Sequence, residues 1–169
     1  MEKIISNLFS KSECDKIISY ATEAGLKRQR KMEKRNTSFD SVYVNPDDKN
    51  AWIFNKIYDY FETELDMKIV LPLDKIMVNH YLIGDSFDMH RDLYFKKQIY
   101  TMMINLSIEY EGGEFELFEP YLHIQKGIGS GCLFDNNRLH GVTKITNGDR
   151  WTMLAFFLID NFYSKNKLI

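Results

Sequence analysis

Two histidines, an aspartate and an arginine in the second half of the chain have the types and spacing to do chemistry together: His90 and Asp92, then His140, then Arg150. Residues i and i+2 of an extended segment point to the same side. His90 and Asp92 can therefore reach one ion while Arg91 points away. His140 follows Asp92 by 48 residues, far enough for the chain to cross a barrel and return on a neighbouring strand. Two imidazole nitrogens and one carboxylate oxygen leave coordination positions open, a set suited to Fe(II), a chelating co-substrate and O2. The same donors can hold Zn(II), and ordinary surface or core histidines are the metal-free alternative. Arg150, ten residues after His140, places a fixed cation beside the set, which suits a dicarboxylate co-substrate.

A His-x-Asp pair alone is weak evidence. With 4 His and 13 Asp in 169 residues, chance alone gives about 0.3 such pairs. His80 and His123 have no partner at ligand spacing. His80 alternates with Tyr81 on a predicted strand, so the two face opposite ways. Both histidines read as non-ligands.

These residues must be positioned by the elements around them. Residues 3–9 suggest a short strand. Ser10-Lys11-Ser12-Glu13 reads as a capping box, with Phe9 and Cys14 as its staple. Cys14, Ile17, Ile18 and Ala21 share one helical face, and Gly25 is placed to end the helix. The basic run 27–35 (KRQRKMEKR) reads as a solvated, partly mobile segment; the sharper alternative is an electropositive flap over an acidic substrate. Pro46-Asp47-Asp48 marks a turn and a helix start. Phe54, Ile57, Phe61 and Leu65 then recur at helical spacing to about residue 66. After Pro72, residues 74–82, 86–91, 98–107, 114–118, 130–135, 139–143 and 150–159 read as short strands. Glu111-Gly112-Gly113 and Gly127 to Gly131 read as turns. The second is no phosphate loop, because a strand-like Cys132-Leu133-Phe134 follows it. The expectation is a mainly β fold with flanking α-helices, a jelly roll backed by two helices.

Composition sets bounds. The length suits one domain over 1–169, with helical support over about 1–70 and a β core over about 74–160. Aromatics reach 14%, which suits strands. A net charge of -2 points to neither nucleic acid nor membrane. The first residues lack a signal-peptide run, and no stretch has transmembrane length. Cys14 and Cys132 match no metal or redox spacing and read as buried thiols. A cytoplasmic, bacterial or phage-encoded enzyme is the expectation.

Tyr81-Leu82-Ile83-Gly84-Asp85-Ser86-Phe87-Asp88-Met89-His90-Arg91-Asp92 resembles the Y-x-x-G-x-x-F-x-x-H-x-D stretch of 2-oxoglutarate- and Fe(II)-dependent dioxygenases of the prolyl 4-hydroxylase type. Asn105-Leu106-Ser107 with Tyr110-Glu111-Gly112-Gly113-Glu114-Phe115 is similar to the family's L-S…Y-E-G-G-E-F turn. Gly129 to Phe134 resembles its G-x-x-x-x-F strand, and His140 to Trp151 its H-x-V-x-P-V-x-x-G-x-R-W run, with Lys144 in place of proline. The resemblance covers roughly 74–159. It implies a cupin-like double-stranded β-helix with iron on His90, Asp92 and His140. It further implies that the distal carboxylate of 2-oxoglutarate meets Arg150 and Tyr81, with Asn105 as another polar contact. Asp92 implies hydroxylation rather than halogenation.

The implied function is hydroxylation of a prolyl residue of a peptide or protein, or of a free amino acid-like small molecule, with release of succinate and CO2. One alternative is an oxidative nucleic-acid demethylase, supported only by the 27–35 run and opposed by Phe156 where such enzymes carry a further arginine. Another is a non-enzymatic jelly-roll module with a structural metal, opposed by the open coordination positions. Residues 26–50 and 93–98 are the expected rim of the substrate pocket. Nucleic acid and membrane are not expected partners. Oligomeric state is not legible.

Overall fold

The computed structural model describes residues 2–30, 37–66, 68–69, 74–92, 100–157 and 159–160. The N-terminal part runs β1 (Lys3–Ile5), α1 (Lys11–Ala24), β2 (Lys27–Arg30), β3 (Thr37–Val44), α2 (Ala51–Thr63) and β4 (Lys68–Ile69). Then come β5 (Ile76–Tyr81), β6 (Ser86–His90), β7 (Tyr100–Asn105), β8 (Tyr110–Gly112), β9 (Phe115–Phe118) and β10 (Leu122–His123). The chain continues through β11 (Gly131–Asp135), β12 (Leu139–Val142), β13 (Ile145–Gly148), β14 (Arg150–Phe157) and β15 (Ile159–Asp160).

Local chemistry explains both helices. Ser10 Oγ accepts from the Glu13 N–H at 3.3 Å, and the Glu13 carboxylate accepts from the Ser10 N–H at 2.7 Å, closing the capping box. Gly25, at φ 83°, ends α1. The Asp47 carboxylate accepts from the N–H groups of Lys49 and Asn50 just ahead of α2. Lys56 Nζ reaches the Glu13 carboxylate at 2.7 Å and ties the helices together. Among the described residues, no helix is long and apolar enough to cross a membrane.

Eleven antiparallel strands form one curled sheet in the order β1-β11-β7-β14-β5-β3-β6-β12-β9-β10, with β2 added beside β3. The sheet folds over at β3. Asp40–Val44 pair with β5, whereas Thr37 and Ser38 pair with β6. This turns the two halves toward each other as a jelly roll. The helices pack on the outer face, where Ile17, Ile53, Ile57 and Phe61 meet Ile76, Val78, Met102, Ile104, Met153 and Phe157. The rings of Phe61 and Phe157 lie 4.7 Å apart. Each such side chain, fully buried, stabilises the fold by about 1.5–3 kcal/mol. The opposite face of these strands lines the interior, with Tyr81, Met103, Cys132 and Phe134, and Leu117 of β9 packs with them.

Three expectations need correction. β3 fills a stretch for which the sequence reading placed no strand. Glu111-Gly112 is not simply a turn: Tyr110–Gly112 pairs with β13 as a separate two-stranded sheet. The start of the basic run is not a free solvated segment either. Lys27–Arg30 is β2, and Arg28 makes a two-pronged ion pair with Asp85 and a longer one, 3.4 Å, with Asp40. Residues 31–35 of that run, and the expected rim at 93–98, lie outside the described residues. Cys14 and Cys132 are free and buried, as expected.

Candidate functional site

β6 and β12 are neighbours, and their register sets His140 directly opposite His90. Asp92 lies two residues past His90, just beyond the end of β6. The ligand atoms of His90, Asp92 and His140 all lie within 4.8 Å of one another. His90 Nε2 is 3.4 Å from one Asp92 oxygen, and His140 Nε2 is 3.6 Å from the other. The His90 Nδ1 donates to the Asp88 carbonyl at 2.9 Å, and the His140 Nδ1 to the Arg138 carbonyl at 2.8 Å. A carbonyl only accepts, so each Nδ1 carries the hydrogen and each Nε2 presents a lone pair inward. Phe87 stacks on His90 at 4.0 Å, and Phe134 meets His140 edge-on at 4.9 Å. Two oriented nitrogens and a carboxylate in an aromatic surround fit a divalent transition metal such as Fe(II). Arg91 turns away, to the Asn137 carbonyl and the Glu119 carboxylate.

The ligand strands must lie close to hold this geometry. Gly141, beside His140, lets them: a Cβ there would stand 2.8 Å from the Phe87 carbonyl oxygen and 2.7 Å from Met89 Sδ.

Arg150 begins β14 opposite Tyr81 of β5. Its guanidinium is 1% exposed, lies 5.3 Å from the Tyr81 ring and donates from Nε to the Tyr110 hydroxyl at 3.3 Å. Among the described residues no carboxylate pairs with it. Burial pushes the Tyr81 hydroxyl up to about 12, against the opposing pull of Arg150, so it stays a neutral donor. Gly113 packs against this group at φ 60°; a Cβ there would strike Ile145 at 2.1 Å and come within 3.2 Å of the Arg150 side chain. Asn79, two residues before Tyr81 on the same inner face, is 1% exposed, and its amide interacts with the Tyr81 hydroxyl. A buried guanidinium without a counter-ion is costly unless an anionic ligand joins it. The donors present therefore fit a dicarboxylate. Asn105 is buried on the same face and borders a second cavity of about 240 Å³ beside Tyr110 and Lys126.

His80 stands apart, stacked on Trp151 at 3.8 Å and bonded to Asp149 at 2.7 Å. The side chain of His123 lies outside the described residues. Sequence reasoning missed Asn136. Its amide donates to the Asp92 carbonyl at 2.9 Å, and its own carbonyl accepts from the Asp92 N–H at 2.9 Å. This clips the segment carrying the carboxylate to the turn that leads to His140. The only signal was turn chemistry, Asp135-Asn136-Asn137, which says nothing of a distant partner. Also missed was Tyr110, whose hydroxyl accepts the Arg150 Nε–H.

Residues 76–158, just under half of the chain, match the family model described as the 2OG-Fe(II) oxygenase superfamily. The chain is an enzyme of the 2-oxoglutarate-dependent oxygenase class that uses Fe(II), 2-oxoglutarate and O2. No curated protein sequence matches the chain. Solved structures do. A viral collagen prolyl hydroxylase from Paramecium Bursaria Chlorella virus-1, in complex with 2-oxoglutarate, has a TM-score of 0.71 at 19% identity, over 92% of this chain and 94% of that one. A Pseudomonas putida prolyl-4-hydroxylase has a TM-score of 0.68 at 12% identity, over 92% and 91%. A Trichoplax adhaerens prolyl hydroxylase, in complex with a hypoxia inducible factor peptide fragment, has a TM-score of 0.73 at 14% identity, over 93% and 83%. At these identities the likeness establishes a shared jelly-roll fold.

Proposed function

We propose that the whole chain is a single hydroxylase domain acting on a prolyl residue within a peptide, with iron held by His90, Asp92 and His140. Arg150 and Tyr81 hold the distal carboxylate of 2-oxoglutarate, and Asn105 contributes a further polar contact. One observation carries the reading: a single inner face presents three convergent ligand atoms at one level and a buried, acid-free Arg150 at another.

When bound, Fe(II) and 2-oxoglutarate supply the oxidising power for hydroxylating a C–H bond, with succinate and CO2 as co-products. The chain's residues supply geometry. The Nδ1–H bonds to Asp88 and Arg138 keep the imidazoles aimed, and Asn136 keeps Asp92 in range. Arg150, with its Nε steadied by Tyr110, offers the rest of its fork to a carboxylate. Phe87 and Phe134 exclude water from the ligands.

A cavity of about 250 Å³ opens beside His90 and Asp92. Among its described lining residues Asp92 is the only carboxylate and there is no lysine or arginine. A free amino acid would need partners there for both its ammonium and its carboxylate, whereas an internal peptide residue needs neither. This favours a peptide over a small zwitterion, in line with the peptide carried by the Trichoplax neighbour. The nucleic-acid alternative is weakened because Arg28 is already taken up by Asp85 and Asp40.

The test mixes anaerobic protein with Fe(II) and 2-oxoglutarate and looks for the visible metal-to-ligand charge-transfer band. Blocked proline-containing peptides are then screened in air for succinate release and the mass gain of one oxygen. A band without any hydroxylated peptide would reject the peptide substrate; no band from folded protein would reject the site itself.

A further inference from the structure

Thr101 is the second residue of β7 and faces inward, in line with Met103 and Asn105. Its cross-strand neighbours are Phe156 on β14 and Phe134 on β11. It is 1% exposed, and its hydroxyl has no hydrogen-bond partner. Buried hydroxyls are nearly always bonded, and an unmet one costs about 1–3 kcal/mol. Thr101 also lines the cavity shared by His90 and Asp92, so that cavity is where a partner can approach it. The cavity, about 250 Å³, exceeds the roughly 30 Å³ share of one water several-fold. Phe39, Met77, Phe87, Leu154 and Phe156 make most of the wall apolar, with Gln29 and Ser41 as further polar lining residues. Tyr43, also in the lining, is 53% exposed. Thr101 is thus a deeply buried hydroxyl without a hydrogen-bond partner in a largely apolar wall.

We infer that Thr101 binds the peptide substrate, its hydroxyl donating to the backbone carbonyl of the prolyl residue held over His90 and Asp92. This rests on the peptide reading above. A prolyl residue has no backbone N–H and an apolar ring, so its carbonyl is the only group a polar wall residue can hold. Thr101 can donate, which is what that group needs. Anchoring the carbonyl fixes where the ring carbons lie relative to the metal ligands, and such positioning governs the rate of hydrogen removal.

The test compares Thr101→Val, which keeps the shape and removes the hydroxyl, with Thr101→Ser, which keeps the hydroxyl. The probe is the blocked proline-containing peptide that the wild-type enzyme hydroxylates best. For Thr101→Val we expect kcat/KM for the peptide to fall about tenfold, the worth of one neutral hydrogen bond. The Kd for 2-oxoglutarate, read from the anaerobic charge-transfer band, should stay unchanged, and Tm should hold or rise. Thr101→Ser should restore kcat/KM to within about twofold of wild type. An unchanged kcat/KM in Thr101→Val overturns the inference while leaving the hydroxylase reading intact. Equal weakening of 2-oxoglutarate binding also overturns it, by moving Thr101 to the co-substrate. A wild-type enzyme that hydroxylates no such peptide overturns both.

Discussion

The two faces of the central strands are made by alternate residues of the same segments, yet they are built to different rules. On β7, Tyr100, Met102 and Ile104 point to the helices while Thr101, Met103 and Asn105 point inward. On β14, Met153, Ala155 and Phe157 face the helices while Arg150, Thr152, Leu154 and Phe156 face the interior. The helix side is continuous hydrocarbon and aromatic surface. Among the described residues, the inner side holds a buried guanidinium without a counter-ion and a Thr101 hydroxyl without a hydrogen-bond partner. Burying polar groups unmet lowers stability. The outer face therefore supplies the stability that lets the inner face stay unsatisfied until a ligand arrives.

That contrast can be attacked from either side. The largest effect is expected from His140→Ala: succinate release at background and no charge-transfer band, with Tm within a few degrees of wild type. A folded His140→Ala protein that keeps the band would break the assignment of the inner face. On the outer face, Phe61→Ala should cost about 3–5 kcal/mol. That is a fall of roughly 10 °C in Tm by thermal melting, with kcat/KM of the folded protein nearly unchanged. A large loss of kcat/KM without loss of stability would show that the faces are not separable. Arg150→Gln should weaken 2-oxoglutarate about 100-fold, the loss of roughly 3 kcal/mol of charge-assisted bonding. It should leave Tm equal or higher, since an uncompensated buried charge has gone; a marked drop in Tm would recast Arg150 as a structural residue. The smallest effect concerns the seam between β2 and the β5–β6 turn. Burial pushes the Asp85 carboxyl up, but bonds from Arg28, Ser38 and the Leu82 N–H hold it below its ordinary value. Its stabilisation is therefore full above the ordinary carboxylate value of about 4 and is lost as pH falls below it, through the lowered folded-state value. Acid unfolding of Asp85→Asn should show a shallower slope there, and an identical slope would mean the pair carries no net stability.

Where single residues declare themselves, the sequence was readable. The capping box at Ser10 and Glu13, the alternation after Pro72 and the His90-x-Asp92 spacing each rest on local rules, and the structure places them where those rules put them. β3 was not readable because neither of its faces is purely apolar: Thr37, Phe39, Ser41 and Tyr43 share one side, Ser38, Asp40, Val42 and Val44 the other, so no period of two stands out. The pairing of Tyr110–Gly112 with Ile145–Gly148 joins distant segments, and glycines disguised the first of them as a turn. Asn136 and Thr101 were silent for a related reason. What matters about each is a partner, present or missing, that only the folded chain defines.

The register of β6 against β12 has one more consequence. Because His90 and His140 are a directly opposed pair, a slip of one residue would point one imidazole away from the other. An ion that binds both can therefore recognise only correctly aligned chains. By mass action it stabilises those chains by RT ln(1 + [M]/Kd) and leaves misaligned ones untouched. The metal centre thus doubles as a checksum on strand alignment, able to reject a fault in β6 or β12 before any substrate is met.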